Sequence, residues 1–557
     1  IIGIVGNITI SFPLLGPKSW PLYGAYFTLF FKKFDDLSGA IRKFASEYRT
    51  KILGFYLGPY ISVVVEDPEL IVEVLNREEF DGRVDTILAR LRSFWKKLGI
   101  IFTDGYFWHV QRRFSLRYLR DYGFGRRDEN LEMVISREVS EMIDMVVSGP
   151  QNDAEKELVK GDLIYLQHYF DAPFVNGMCN IFARFTFPRS DYHLIWKLTK
   201  KALMFQRNSN DFGGALALTP WLKDVMPKIS GYAYLKEGND AILDFFKVSN
   251  LADHDESYDR HFLDVYLRKT KEERKTNERT TFTEEQLQLI CTDYMFPTAT
   301  AGQATLTFLI ERMLLQPEIQ DKIHEELDRV VGRDRLPNLD DRQRLPYTEA
   351  CLREIMRFET LVPLGILHRA TKDTKLGGYD IPEIWGDPEN FRPERFLEDG
   401  KLCVRKDKSL PFGAGEFVNS NNNNNYSTNA TVGTLCVKSL KISCLSSPSP
   451  LRRTRDAWCN GSCDDDDEYS LSAIFILRIN FLIVARPYFC NISSIPGHRL
   501  CAGETYARQT MFQVFSGFMQ AFKVSTADGK PLKKPFRRLQ GIITTVPEFW
   551  VRVTPRS

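Results

Sequence analysis

With 557 residues, 43% of them hydrophobic and 13% aromatic, the chain carries enough apolar mass for a large core, and a formal net charge of +2 excludes a global nucleic-acid footprint. Half of the ten cysteines fall between residues 416 and 497; the others, Cys179, Cys291, Cys351, Cys403 and Cys501, are too scattered for a zinc site or a disulfide framework, which leaves a reducing compartment as the expectation. No GxGxxG sits at a strand-to-helix junction, no second domain offers room for a flavin or a nicotinamide cofactor, and no internal repeat is present.

Ile1 to Phe12 is an apolar stub, shorter than the roughly 20 residues of a spanning helix. It reads as the end of a membrane anchor, with a stray apolar strand as the alternative. The run Pro13 to Gly24 cannot continue a helix and forms a hinge. Tyr56 to Val65, β-branched and aromatic around Gly58-Pro59, predicts a hairpin. Most of the chain beyond Val65 has a helical period, so the class is mainly α with a small β region. Trp108 and Arg112 stand at i and i+4 on one helical face; taken alone, the pair is a surface arginine beside a packed tryptophan. Thr283-Glu284-Glu285-Gln286 is a capping box, opening a long helix that ends near Leu315, before Pro317. Pro297 inside it removes a helical N–H and predicts a kink, a defect of about 3 kcal/mol. Glu354 and Arg357 lie one turn apart, a spacing that by itself marks a solvated pair worth about a few tenths of a kcal/mol.

Near the C-terminus, Phe412-Gly413-Ala414-Gly415 is followed 82 positions later by Gly497-His498-Arg499-Leu500-Cys501-Ala502-Gly503. Between them lie an asparagine run (Asn421 to Asn425) and an aspartate run (Asp464 to Asp467), with no sustained period. Gly415-Glu416 can be encoded with a GTGAG splice donor and Pro496-Gly497 with a CAG acceptor, and Ile474 to Ile495 uses residues whose codons lean towards pyrimidines. The block 416–496 therefore reads as a translated intron, since a structureless insert of that length argues against an intended element. A genuine disordered surface loop is the alternative, because long insertions are thermodynamically tolerable.

Joined at one shared glycine, the two strings become Phe-Gly-Ala-Gly-His-Arg-Leu-Cys-Ala-Gly, which resembles the haem-thiolate loop of the cytochrome P-450 monooxygenases. The stretch Arg112 to Gly125 resembles insect microsomal members of the clan that includes vertebrate drug-metabolising enzymes. The resemblance implies that residues 1–12 are the remnant of an anchor and that 13–415 with 497–557 form one haem-thiolate domain. It implies Cys501 as axial ligand of haem b, Phe412, Arg499 and Gly503 as parts of the cofactor loop, and Trp108, Arg112 and His368 as propionate partners. It also implies a structural ion triad of Glu354, Arg357 and Arg395, whose loss would strand a buried charge at roughly 3–5 kcal/mol. Leu361 to Arg369 resembles the strand that lines the substrate pocket, so Val362 and Leu364, with Thr298 and Ile543, are the apolar pocket candidates.

Two departures from the family pattern stand out. Members carry Ala-Gly-x-acid-Thr in the long helix, and this chain has Pro297-Thr298-Ala299-Thr300-Ala301, with Thr300 at the acid position and Ala301 at the relay position. Either Thr298, Thr300 and water carry the relay, or oxygen activation is altered, or these threonines merely bond back to the helix. Gly377 to Pro382 also passes directly into Glu383 to Phe391, where members carry a further stretch with a strand; its absence would leave a sheet edge unpaired and points to a faulty gene model. The implied partners are dioxygen, an apolar small molecule (hormone precursor, fatty acid or xenobiotic), an NADPH-dependent flavoprotein reductase and the cytosolic face of the endoplasmic reticulum membrane. Ala301 keeps open an isomerase or dehydratase that needs no reductase, and the split loop keeps open a misassembled product unable to hold haem.

Overall fold

The computed structural model describes residues 16–21, 23–33, 36–57, 60–209, 215–247, 259–276, 280–363, 365–369, 371, 376, 397–398, 400–402 and 498–556. The anchor stub 1–12, Leu364, the junction 377–391, Arg395, Phe412 and the block 416–496 lie outside the described residues. All of the described residues belong to one of the two units into which the chain divides, the one formed by 1–416 and 476–557.

Helices dominate, with three small antiparallel sheets beside them. The expected hairpin is present: β1 (Ile52–Leu57) pairs with β2 (Tyr60–Val65), with Leu57 opposite Tyr60 across a two-residue connection. A four-stranded sheet has the order β3 (Val159–Lys160), β4 (Leu163–Tyr165), β8 (Trp550–Pro555), β7 (Phe522–Thr526), and β5 (Leu397–Glu398) pairs with β6 (Lys401–Leu402). In β8 the period of two is plain, since Val551 and Val553 point into the core while Arg552 pairs with Asp162 at the surface.

The long helix runs from Glu284 to Leu315, with the Thr283 hydroxyl accepting the Gln286 N–H at 3.1 Å as its N-cap. The rest of the expected capping box does not form. The Gln286 amide is used elsewhere, accepting from Gly99 N at 2.8 Å and donating to Gly99 O at 3.3 Å. Buried nearly all round, this helix passes through the core and packs against helices Asp171–Ala183, Tyr192–Asn208, Pro346–Phe358 and Glu504–Ala521. It continues as α-helix on both sides of Pro297. Gly302 sets the closeness of one crossing, since a Cβ there would stand 2.4 Å from the Phe174 ring. The strand expected over 361–369 is not seen among its described residues. Pro363 cannot donate to a ladder, and the N–H groups nearby serve loops instead: Gly365 bonds Val362 O at 3.0 Å and Arg369 bonds Gly82 O at 2.7 Å.

Candidate active site

Cys501 lies three residues before the start of the Glu504–Ala521 helix, whose N-cap is Gly503. That position places the sulfur at the positive end of the helix dipole. Burial pushes the thiol upward, and the Gly503 backbone N–H bonded to it, with Arg112 and Arg508 nearby, pulls the other way without cancelling the rise. Surface area makes Cys501 the exposed one of the four described cysteines, yet protein surrounds its sulfur closely enough for burial to dominate its ionisation. Cys179, by contrast, is sealed in the core and pushed up to about 12 by burial.

The loop 498–503 is fastened from two sides. His498 Nδ1 meets Asp81 Oδ2 at 2.7 Å, and its N–H bonds Leu75 O at 3.3 Å. Arg499 donates through Nη2 to Asp81 O and lies over the Trp108 ring, 3.6 Å from its centroid. Arg112, on the same helix as Trp108 (Gly105–Asp121), stacks on that ring at 5.6 Å and donates to Leu500 O. The sequence pair Trp108/Arg112 thus braces the cysteine loop directly.

Three groups around Trp108 have hydrogens but no acceptor among the described residues: Trp108 Nε1, Arg499 Nε and Arg499 Nη1. Burial, with Arg83 beside it, holds the Arg499 guanidinium down to about 8 against an ordinary 12.5. Buried donors of one sign next to an exposed cysteine call for carboxylates, and a haem carries two propionates. The residues fit that group. His368 is the remaining expected propionate partner. Its Nδ1 lies 2.7 Å from the Phe80 carbonyl, which can only accept, so Nδ1 carries the hydrogen. Burial, and then Arg83, hold its pKa well below the ordinary histidine value. Such a ring would meet a propionate through Nε2, and only as the imidazolium.

On the long helix, accessible surface is confined near the site to Phe296, Pro297, Thr298 and Ala301, while Thr300 is 3% exposed. Thr298 and Ala301 lie on one face, three residues apart, and Thr300 is turned roughly 100° from Ala301. Both hydroxyls donate back to the helix, Thr298 to Tyr294 O at 2.7 Å and Thr300 to Phe296 O at 3.3 Å. Of the two residues, only Thr298 lies on the accessible face.

A family model described as Cytochrome P450 matches residues 14–416. The chain belongs to the cytochrome P450 family. It is 31% identical to farnesoate epoxidase of Bombyx mori over 426 residues, covering 72% of this chain and 82% of that protein. It is 30% identical to cytochrome P450 2U1 of Homo sapiens, covering 66% and 69%, and 30% identical to cytochrome P450 2H1 of Gallus gallus, covering 72% and 82%. Insect and vertebrate relatives thus stand together, and haem-thiolate monooxygenase is the activity of the family.

In this P450 the Glu354–Arg357 pair is bidentate, with Nε–Oε2 at 2.7 Å and Nη2–Oε1 at 2.9 Å, both side chains fully buried. It is the solvated surface pair of the local reading turned inward. Ile543 is buried, Val362 is half-buried, and the Thr544 N–H bonds Leu361 O at 2.7 Å, which ties the two segments together. Sequence reasoning missed Asp81, the acceptor for both His498 and Arg499, and it missed the Asp293–Arg92 pair. Asp81 is 417 positions from His498, and no local pattern connects them.

Proposed function

We propose that this P450 inserts one atom of dioxygen into an apolar small molecule, with haem b held by Cys501 and electrons drawn from an NADPH-dependent flavoprotein reductase at the cytosolic face of the endoplasmic reticulum membrane. The observation that carries this reading is the setting of Cys501: accessible, at a helix N-terminus, bonded by the Gly503 N–H and flanked by carboxylate-seeking Trp108 and Arg499. A thiolate-ligated haem supplies the O–O cleavage and oxygen insertion. The protein's own part is to donate the Gly503 N–H to the Cys501 sulfur, to neutralise propionates with Arg112 and Arg499, and to pass protons along the accessible helix face at the Thr298 hydroxyl. The apolar wall around Ile543 and Val362 orients substrate and excludes water.

Partner and location have support of their own. Arg113, Arg117 and Arg120 are exposed at i, i+4 and i+7 on the helix whose Arg112 touches the cysteine loop, so a basic face backs the thiolate and suits an acidic electron donor. Trp221, Val225, Met226 and Ile229 are all exposed beside Lys223 and Lys228, a composition suited to an anionic lipid surface. No helix among the described residues is long and apolar enough to cross a membrane. Among the substrate classes the sequence left open, the similarity to farnesoate epoxidase supports a farnesoate-like molecule.

A second reading, isomerase or dehydratase chemistry without a reductase, draws on Ala301 and on the burial of Thr300. The carbon monoxide difference spectrum of the reduced protein tests the first part: Cys501→Ser abolishes the thiolate-type band, and Cys463→Ser leaves it unchanged. Substrate-dependent NADPH consumption with added reductase then decides between oxygenase and isomerase.

A further inference from the structure

We propose that Phe124 is a positioning residue for the cysteine loop: its ring holds Gly503 in place so that the Gly503 N–H stays on the Cys501 sulfur. The ring is delivered by the end of the Gly105–Asp121 helix. There Gly123 takes φ +101°, its N–H bonds Arg120 O at 3.3 Å, and the Phe124 N–H bonds Leu119 O at 3.1 Å. These are the two bonds of a Schellman cap, which reverses the chain and turns the following side chain inward. Glycine is required at 123, since the conformation is left-handed and a Cβ would stand 3.0 Å from both Asp128 Cβ and Leu131 Cδ2.

Turned inward, the Phe124 ring is 2% exposed and wedged between two aromatic rings. Tyr294 of the long helix meets it edge-on at 4.9 Å, and Tyr506, two residues into the helix that follows the cysteine loop, stacks at 5.9 Å. Neither neighbour is free to yield. The Tyr506 hydroxyl donates to Phe174 O at 2.7 Å, and the Tyr294 hydroxyl shares a hydrogen bond with Ser115 Oγ at 3.1 Å. The tip of the ring lies against Gly503, so that a Cβ there would be 3.3 Å from Phe124 Cζ. One helix therefore grips the loop on both sides of the cysteine, through Arg112 on Leu500 O before it and through Phe124 on Gly503 after it. In an interior packed this closely, displacement of Gly503 requires displacement of the ring.

The inference rests on the assignment of Cys501 as ligand only for its spectroscopic arm. In the full chain, Phe124→Ala, Phe124→Leu and Cys501→Ser are compared by amide hydrogen exchange of peptides covering 501–506, read by mass spectrometry. Where haem is bound, the carbon monoxide spectrum at equal haem content is compared as well. Phe124→Ala is expected to accelerate exchange in 501–506 by roughly tenfold or more while the Leu37–Tyr48 helix is unchanged, and to weaken the thiolate-type band. Phe124→Leu keeps most of the volume and stays within about threefold. Unchanged exchange in Phe124→Ala, or acceleration that spreads equally to Leu37–Tyr48, overturns the proposal. Cys501→Ser should retain the slow exchange and lose the band; a surviving band refutes the ligand assignment instead, and the exchange result still decides the role of Phe124.

Discussion

Asp293 is expected to be the most stability-sensitive polar residue of the long helix. Its side chain is fully buried and pairs through Oδ1 with Arg92, itself 5% exposed, while Oδ2 accepts the N–H groups of Ile100 and of Ile101, the latter at 3.0 Å. The Arg92 contact is one of charge more than of alignment, since Asp293 Oδ1 and Arg92 Nη1 lack an in-line hydrogen-bond partner among the described residues. Asp293→Ala removes one member of a buried pair, at about 3–5 kcal/mol. It also orphans two backbone N–H groups at about 1–3 kcal/mol each. Even with incomplete additivity the loss is a large fraction of a typical 5–15 kcal/mol. Asp293→Asn keeps the volume and an oxygen for the two N–H groups, so its cost is the lost charge, about 2–3 kcal/mol. If that assignment is correct, adding Arg92→Met to Asp293→Asn recovers part of the loss, because the stranded guanidinium is gone, with a coupling of about 0.5–3 kcal/mol. Urea midpoints of wild type, both single variants and the double variant measure these quantities. A cost below about 0.5 kcal/mol for Asp293→Asn, or strictly additive losses in the double variant, would refute the reasoning.

Glu349 carries a pH prediction. Burial raises its pKa, but Arg342 and Arg353 outweigh it and bring the carboxyl down to about 2 from 4.5. A depressed folded-state pKa gives stability that is present above the unfolded value and lost as pH falls through the folded one, so the window is pH 4.5 to about 2. The shift corresponds to about 3 kcal/mol, and the difference in urea midpoint between wild type and Glu349→Gln should shrink across that window; a constant difference contradicts the assignment. On the long helix, Thr298→Ala should lower product formed per NADPH, Ala301→Thr should raise it, and Thr300→Ala should leave it unchanged, because Thr300 faces away from the accessible side. Positioned proton transfer is typically worth roughly 10² to 10⁴ in rate, so a coupling ratio indifferent to Thr298 shows that the relay runs elsewhere.

Local signals were legible where one element contains the whole signal. The span of the long helix, its Thr283 cap and the pairing of Ile52–Leu57 with Tyr60–Val65 follow from period and turn chemistry, and all are found. Trp108 and Arg112 were readable as one face, but their targets were not: Arg112 is bonded to a carbonyl 388 positions away, and spacing along a helix cannot name such a partner. The same limit explains Gln286, a good capping-box residue diverted to Gly99 by a loop 187 positions distant. His368 shows a different limit. The side of the imidazole that is free depends on the Phe80 carbonyl, which only the packed chain reveals.

The described half of the cysteine loop bears directly on the block between Gly415 and Gly497. The polar partners found for residues 498–500, and the ring that abuts Gly503, all lie between Leu75 and Phe124: Leu75, Asp81, Trp108, Arg112 and Phe124. Among the described residues, docking of the loop 498–503 therefore draws on the N-terminal third of the chain. The block lengthens the connection from Leu402 to His498 from 14 positions to 96, which costs only about 1.7 kcal/mol of closure entropy. That is too little to unfold a domain. We propose that its effect falls on the link from Phe412-Gly413-Ala414-Gly415 to Arg499, which the resemblance to the family's haem loop implies should be continuous; the family match stops at residue 416. Deleting Glu416 to Gly497 should thus leave the stability read from urea unfolding within about 2 kcal/mol of the full chain while raising haem content and the thiolate-type carbon monoxide band several-fold. An equally strong band in the full chain would show that the block is compatible with a formed cysteine loop. A full chain unfolded by comparison with the deletion variant would show that the N-terminal contacts alone do not seat Cys501.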